Sequence, residues 1–289
     1  MRIVIFGKNG QLGQELEKEA KNKEFEVLAL GHEEIDVANY ETLKALLEKE
    51  KPDFLINATA YNLVREADEQ FEKAFELNCF APFYMASICK KIGAKFVTYS
   101  TDYVFDGEKN EPYTEDDQTN PLQIYGLSKS CGEASILHAY PKGSFVIRTC
   151  AVYGGQEGSK SKGGNIVLTI LKQAKEKEYL EMTTDQIVNP TYSKDLAKAS
   201  LDLLDKKPEP GIYHLTSEGS CTWYEFAKEC LRIAKISKEI RKVEASKIDP
   251  SLKRPKFTAL ANVKAKALGI ALPNWQESLK AYIKDFSLA

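Results

Sequence analysis

The chain begins Met1-Arg-Ile-Val-Ile-Phe6-Gly7-Lys-Asn-Gly10-Gln-Leu-Gly13, and the fold is decided in this stretch. Arg2–Phe6 is a short apolar run closed by glycine, the pattern of a buried strand. Gln11–Lys21 follows as a helix. Between them the glycines are spaced GxxGxxG. Gly7 permits a tight turn, Gly10 lets the backbone approach a pyrophosphate, and Gly13 lets the helix pack closely on the strand. The helix N-terminus then aims N–H groups and a positive dipole at the phosphates. A glycine pattern alone is weak evidence; its place between an N-terminal strand and the first helix gives it weight.

Working outward, apolar runs alternate with amphipathic ones. Phe25–Leu30, Asp53–Asn57, Lys95–Ser100 and Phe145–Thr149 read as strands. Asn39–Lys49, with Tyr40, Leu43, Leu46 and Leu47 at helical spacing, reads as a helix, as does a long region from Glu69 to Lys91. Strands separated by helices imply βαβ units, and right-handed crossovers make these a doubly wound parallel α/β sheet of the Rossmann type. Gly211–Thr216 reads as a further strand, Trp223–Ile233 as a helix, Asp249–Phe257 as irregular, and Leu272–Ile283 as ending in a helix. The expected division is a dinucleotide-binding domain over 1–150, completed by about 166–218, and a smaller, discontinuous C-terminal substrate domain over 151–165 and 219–289. The glycine-rich Gly154–Gly164 reads as a mobile loop.

Composition narrows the function classes. The 289 residues carry 43% hydrophobic and 28% charged side chains and a net charge of -2. That balance suits a water-soluble domain and gives no reason to expect nucleic acid or an anionic membrane as partner. No run of about 20 apolar residues suggests a membrane span, and the N-terminus enters its strand too directly for a signal peptide. A cytoplasmic protein is expected. Cys79, Cys89, Cys131, Cys150, Cys221 and Cys230 are scattered singly beside three histidines, which argues against a metal site and for reduced thiols.

Two further motifs carry chemistry. Tyr125-Gly-Leu-Ser-Lys129 opens a predicted helix, so Tyr125 and Lys129 share one face. A phenol is a poor acid or base near neutrality, and a neighbouring ammonium lowers its pKa toward the useful range. Lys129 also suits the ribose hydroxyls of a dinucleotide. Ser100-Thr101-Asp102-Tyr103 follows the fourth strand, where a doubly wound fold places ligand-binding residues. The Thr101 hydroxyl can share a substrate carbonyl with Tyr125, and Asp102 can orient Thr101 or bind a sugar hydroxyl. His214 and Trp275 read as structural, Cys150 as a packing residue, and Trp223 as packing.

With these motifs in place the chain resembles the dTDP-4-dehydrorhamnose reductase family of extended short-chain dehydrogenases. The resemblance is carried by GKNGQLG (Gly7–Gly13), NATAY (Asn57–Tyr61), STDYVFDG (Ser100–Gly107), NPLQIYGLSK (Asn120–Lys129) and VIRTCAVYG (Val146–Gly154). It continues through TDQIVNPT (Thr184–Thr191), GIYHLTS (Gly211–Ser217), TWYEFA (Thr222–Ala227), RPKFTAL (Arg254–Leu260) and LPNWQESL (Leu272–Leu279). It implies that NADPH or NADH lies on Gly7, Gly10, Gln11, Leu12 and Gly13, with Asp36 and Val37 toward the adenosine. Ala58, Ala60 and Tyr61 would flank it and Tyr99 would lie beneath. Thr101, Tyr125 and Lys129 would be the catalytic residues, and Pro190, Thr191 and Arg254 would lie on the substrate side. The implied reaction is reduction of the C4 ketone of a nucleotide-linked deoxy sugar, dTDP-4-dehydro-L-rhamnose foremost, with a homodimer as the implied assembly. Relatives in this group that serve as cofactor-binding regulatory subunits, such as the beta subunit of methionine adenosyltransferase, supply the alternative, as do epimerases and reductases of the same fold.

The sequence departs from the family at points that bear on substrate and cofactor. Ala151 stands where the family usually has tryptophan, and Val64-Arg65-Glu66-Ala67-Asp68 reverses the family's charge order, making Arg65 a candidate for a phosphate or carboxylate. At the end of the second strand Leu30 is followed by Gly31 and His32, so the usual ribose-binding acid is absent from the simplest position. Glu33, Glu34 and Asp36 come slightly later. A missing acid would tolerate a 2′-phosphate, with His32 or Lys8 helping to hold it.

Overall fold

The computed structural model describes residues 1–156, 158 and 163–288. A central sheet has β1 (Arg2–Phe6), β2 (Glu26–Leu30), β3 (Phe54–Asn57), β4 (Lys95–Thr101) and β5 (Ser144–Thr149). After β6 (Val152–Tyr153), β7 (Tyr179–Thr183), β8 (Ile187–Val188) and β9 (Thr191–Tyr192), β10 (Gly211–His214) returns to its edge. The order is β2-β1-β3-β4-β5-β10, parallel throughout. The sixth strand is shorter than the sequence suggests, although Leu215 N–H still donates to the Arg148 carbonyl at 3.0 Å.

The alternation of side chains along each strand builds two apolar layers. Ile3 and Ile5 of β1 face α1 (Gln11–Asn22) together with Ile56, Val97 and Ile147, while Val4 and Phe6 face the other side with Leu55, Phe96 and Val146. That second layer is covered by α2 (Tyr40–Glu50), α4 (Ala81–Ile92) and α5 (Ile124–Ala139), with the short α3 (Phe71–Phe75) packed on α5. The long helix expected over 69–91 is interrupted by a π-helical turn at Glu76–Phe80. The turn brings Asn78 to face α5, where Gly132 admits it: a Cβ there would lie 2.1 Å from the Asn78 carbonyl oxygen.

A separate apolar cluster is built from α6 (Ile166–Glu176), α8 (Trp223–Ile233), β7 and α11 (Trp275–Asp285), with β12 (Glu239–Val243) paired to β7. Its centre is aromatic: Tyr153 stacks on Tyr192 at 5.8 Å, and Phe226, Trp275 and Tyr282 pack around them. The strand β11 (Cys221–Thr222) pairs with β8, and the chain between α7 (Ser193–Asp205), which packs on α1, and α11 also holds the short α9 (Ala245–Ile248) and α10 (Val263–Ala267). Trp275 is buried here, and His214 is fully buried with its Nδ1 at 3.1 Å from the Ala261 carbonyl. Of the segment 154–164, read from sequence as mobile, residues 157 and 159–162 lie outside the described residues. Among the described residues no helix is long and apolar enough to cross a membrane, and no group of three metal-binding side chains occurs.

Candidate active site

The glycine turn joins β1 to α1 with no spare space. Gly7 has φ +89°, a left-handed conformation that favours glycine, and a Cβ there would lie 2.9 Å from the Ala58 carbonyl group. A Cβ on Gly13 would lie 2.0 Å from the Gly7 carbonyl oxygen. Gly10 caps α1 with no side-chain hydrogen bond, and no acidic residue stands in the first turn. The opening N–H groups of this helix are thus left for an external anion. A turn drawn this tight by Gly7 and Gly13, with the first N–H groups of α1 at its mouth, fits the pyrophosphate of a dinucleotide. Gly13→Ala is accordingly expected to push the turn out of shape and cost at least about tenfold in dinucleotide affinity, roughly 1.4 kcal/mol; unchanged affinity in a titration of the variant would count against the fit.

A cavity of ≈ 840 Å³ opens beside the turn, between the C-terminal ends of the sheet strands and the aromatic cluster. Gln11, Thr101, Tyr125, Ala151, Gln186 and Arg254 are among its walls. Thr101 is the last residue of β4. Its hydroxyl donates to Asp102 Oδ1 at 3.0 Å, accepts from the Tyr103 N–H at 3.2 Å, and hydrogen-bonds Tyr125. Asp102 is buried, and its other oxygen accepts from the Cys150 thiol at 3.1 Å. Burial raises the Asp102 carboxyl, while hydrogen bonds from Thr258, Cys150 and Thr101 pull it partway back.

Tyr125 sits in the first turn of α5, edge-on to Tyr103 with ring centroids 6.0 Å apart. Gly126, the next residue, lets this turn press on β4's end, since a Cβ there would lie 2.1 Å from the Tyr103 carbonyl oxygen. One turn on, Lys129 is buried and donates from Nζ to the Tyr99 carbonyl at 2.6 Å. Burial pulls the Lys129 ammonium down to about 8, opposed by the nearby Glu133. The expectation that Lys129 depresses Tyr125 is corrected here. In the ligand-free protein burial holds the Tyr125 phenol above its ordinary value, and the group that lowers it is Thr101.

Other expected site residues are distributed unevenly. Gln11 reaches the cavity and donates to the Val152 carbonyl at 3.1 Å, while Leu12 packs into the core behind it. Ala58 is tied to β1 through its N–H to the Phe6 carbonyl, 2.9 Å, and Ala60 is half-buried beyond it. Tyr61 is held by Asn78, which accepts from the Tyr61 N–H at 2.9 Å and donates to its carbonyl at 3.0 Å. Tyr99 is buried. Ala151 lines the cavity at φ +48°. Arg65 also lines it and is paired with Asp249 at 2.7 Å.

Three expectations need correcting. Pro190 and Thr191 are buried behind the cavity wall; the Thr191 hydroxyl is spent on the Asn189 carbonyl at 2.9 Å and the Ser217 N–H at 3.3 Å, and Gln186 and Val188 form the wall instead. The Val37 side chain turns into the apolar core, whereas Asp36 beside it stays exposed, with one oxygen accepting from the Ala38 N–H at 3.0 Å, and its expected place is not contradicted. Lys8 is not a free cation, because it pairs with Glu34.

Asn78, Tyr103, Gln186 and Thr258 carry no motif of their own in the sequence, and Cys150, expected to pack, also donates to Asp102. Asn78 had a signal: a lone amide amid the apolar Leu77 and Cys79 on a helix that must bury one face.

Comparison with known proteins places this arrangement. The family model described as the RmlD substrate binding domain matches residues 1–288. The spore coat polysaccharide biosynthesis protein SpsK of Bacillus subtilis is 35% identical, covering 100% of this chain and 99% of that protein. The dTDP-4-dehydrorhamnose reductase of Aggregatibacter actinomycetemcomitans is 35% identical over 96% of this chain and 97% of that protein. A crystal structure of the Bacillus anthracis dTDP-4-dehydrorhamnose reductase in complex with NADP superposes with a TM-score of 0.92 at 30% identity, covering 98% of this chain and 99% of that one. Likeness that covers nearly the whole of both chains means that this protein belongs to the dTDP-4-dehydrorhamnose reductase family of nicotinamide-dependent oxidoreductases.

Proposed function

We propose that this chain reduces the C4 ketone of a nucleotide-linked 4-keto-6-deoxy sugar, dTDP-4-dehydro-L-rhamnose foremost, to the corresponding alcohol. The observation that carries the reading is the meeting of the Thr101 and Tyr125 hydroxyls on the wall of a large cavity beside the glycine turn.

The backbone of Gly7, Gly10, Gln11, Leu12 and Gly13 would hold the pyrophosphate of NADPH or NADH, with Ala58, Ala60 and Tyr61 flanking it. When bound, that dinucleotide supplies a hydride. The residues of the chain do the rest. Thr101, whose one hydroxyl proton rests on Asp102 in the free protein, turns it to the keto oxygen and so orients the substrate. Tyr125 hands its proton to that oxygen as negative charge develops there. Lys129, anchored on the Tyr99 carbonyl, would hold the ribose hydroxyls of the dinucleotide with its ammonium. Asp102, anchored by Cys150, keeps the Thr101 side chain in one rotamer. Arg254 supplies a cationic donor for the sugar-linked diphosphate, and Arg65 would join it only by giving up its partner Asp249. Ala151 leaves room against the sugar. In this reading the sheet with its helices is the dinucleotide domain, and the aromatic cluster around Phe226 supports the substrate domain.

The test is to mix the purified chain with NADPH or NADH and dTDP-4-dehydro-6-deoxy-L-mannose and follow the near-ultraviolet absorbance of the reduced nicotinamide. Its loss, with the matching alcohol found by mass spectrometry, is the expected result. Tight dinucleotide binding without any turnover of the keto sugar would overturn the substrate assignment.

A further inference from the structure

We infer that Glu34 and Lys8 together read the adenosine ribose of the dinucleotide and bias this chain toward NADH over NADPH. The inference rests on dinucleotide binding at the glycine turn as proposed above.

The turn is pinned to the end of β2. The Gly7 and Lys8 N–H groups both donate to the Leu30 carbonyl, at 2.9 and 3.2 Å. Beyond Leu30 the chain doubles back, with the Glu34 and Ile35 N–H groups both donating to the Gly31 carbonyl at 3.1 Å. That reversal returns the Glu34 side chain to the strand end, where it accepts from the Gly31 N–H at 2.7 Å and pairs with the Lys8 ammonium. The acid missing by simple counting is therefore supplied by a turn. It stands about twenty residues beyond the glycine turn, the spacing at which a carboxylate meets the ribose hydroxyls in a dinucleotide site. Gly31 is the residue that permits this, since a Cβ there would lie 2.5 Å from Asn9 Nδ2 and 3.1 Å from Glu34 Oε2.

The electrostatics point one way. The Lys8 ammonium and the Gly31 N–H hold the Glu34 carboxyl below its ordinary value, so it is ionised at neutral pH. An ionised carboxylate accepts a hydrogen bond from a 2′-hydroxyl and repels a 2′-phosphate. Lys8 is the cation placed to offset the repulsion, and its charge is already matched by Glu34. A 2′-phosphate would have to break that pair before gaining from it.

The test measures binding, with no sugar present. Dissociation constants for NADH and NADPH are determined by calorimetry on the full chain and on Glu34→Gln, Lys8→Met and the double variant, with thermal melts to confirm folding. The wild type is expected to bind NADH about tenfold more tightly than NADPH, and Glu34→Gln to invert that order by releasing Lys8, a change on the scale of one charged hydrogen bond. In the double variant the gained NADPH affinity should disappear again. A wild type that prefers NADPH, with a ratio that Glu34→Gln does not move, refutes this inference and leaves the reductase reading standing. A chain that binds neither dinucleotide refutes both.

Discussion

Tyr125→Phe is expected to lower kcat by about 10²–10⁴-fold, the usual worth of one positioned proton donor, while dinucleotide binding changes little. The substitution removes only the hydroxyl. The ring keeps its edge contact with Tyr103, and α5 keeps its seat on β4 through Gly126. What is lost is the single proton held next to Thr101. Single-turnover kinetics with a reduced dinucleotide and the keto sugar would read the effect, and a variant that retains more than about a tenth of wild-type kcat would remove Tyr125 from the chemistry. The same assay has a pH signature. The Lys129 ammonium in the free protein loses its proton at about 8, because burial disfavours its charge. Above that pH the ammonium that would hold the ribose of the dinucleotide is gone, so kcat/KM should fall on the alkaline side. Lys129→Met should flatten that limb at a much lower rate.

The largest effect on stability is expected at Glu133. This residue of α5 and Arg148 of β5 form a two-pronged ion pair, with Glu133 Oε2 accepting from Arg148 Nη2 at 2.6 Å and Oε1 from Nε at 3.0 Å. Their side chains are 5% and 3% exposed, so both charges are cut off from water. Arg148 also lies over the Phe105 ring at 5.0 Å. Glu133→Ala leaves a guanidinium buried without its counterion, and such a loss costs about 3–5 kcal/mol. For a chain of this length that is a fall in melting temperature of roughly 5–8 °C. Urea unfolding would measure it. A loss below about 1 kcal/mol would show that water or backbone replaces the carboxylate easily. The change also reaches the site, because Glu133 is the group that opposes the fall in the Lys129 pKa. The alkaline limb of kcat/KM should therefore move to lower pH in any Glu133 variant that still folds.

How much of this was legible beforehand follows from the range of the forces involved. The strands of the sheet, the glycine turn and the helix carrying Tyr125 and Lys129 could all be read because their signals are local. Alternating burial, a glycine between strand and helix, and a Tyr–Lys spacing of one helical turn are properties of neighbouring residues. The π-turn at Glu76–Phe80 was not legible, since it arises where α5 presses on the helix through Gly132 and Asn78, far apart in sequence. The ion pairs of Lys8 with Glu34 and of Arg65 with Asp249 were invisible for the same reason, and they changed the meaning of two cations that sequence alone had left free.

The sequence by itself determined the doubly wound sheet, the glycine turn between β1 and α1, and the placing of Tyr125 and Lys129 one turn apart on α5, because each rests on backbone geometry and periodicity encoded within a few residues. Tertiary structure alone decided which side chains face the cavity and which charges are already spent. It put Gln186 on the wall and Thr191 behind it, lowered Lys129 while raising Tyr125, and returned Glu34 to the end of β2. Burial and pairing depend on what the rest of the chain packs against a residue, and no local pattern carries that information.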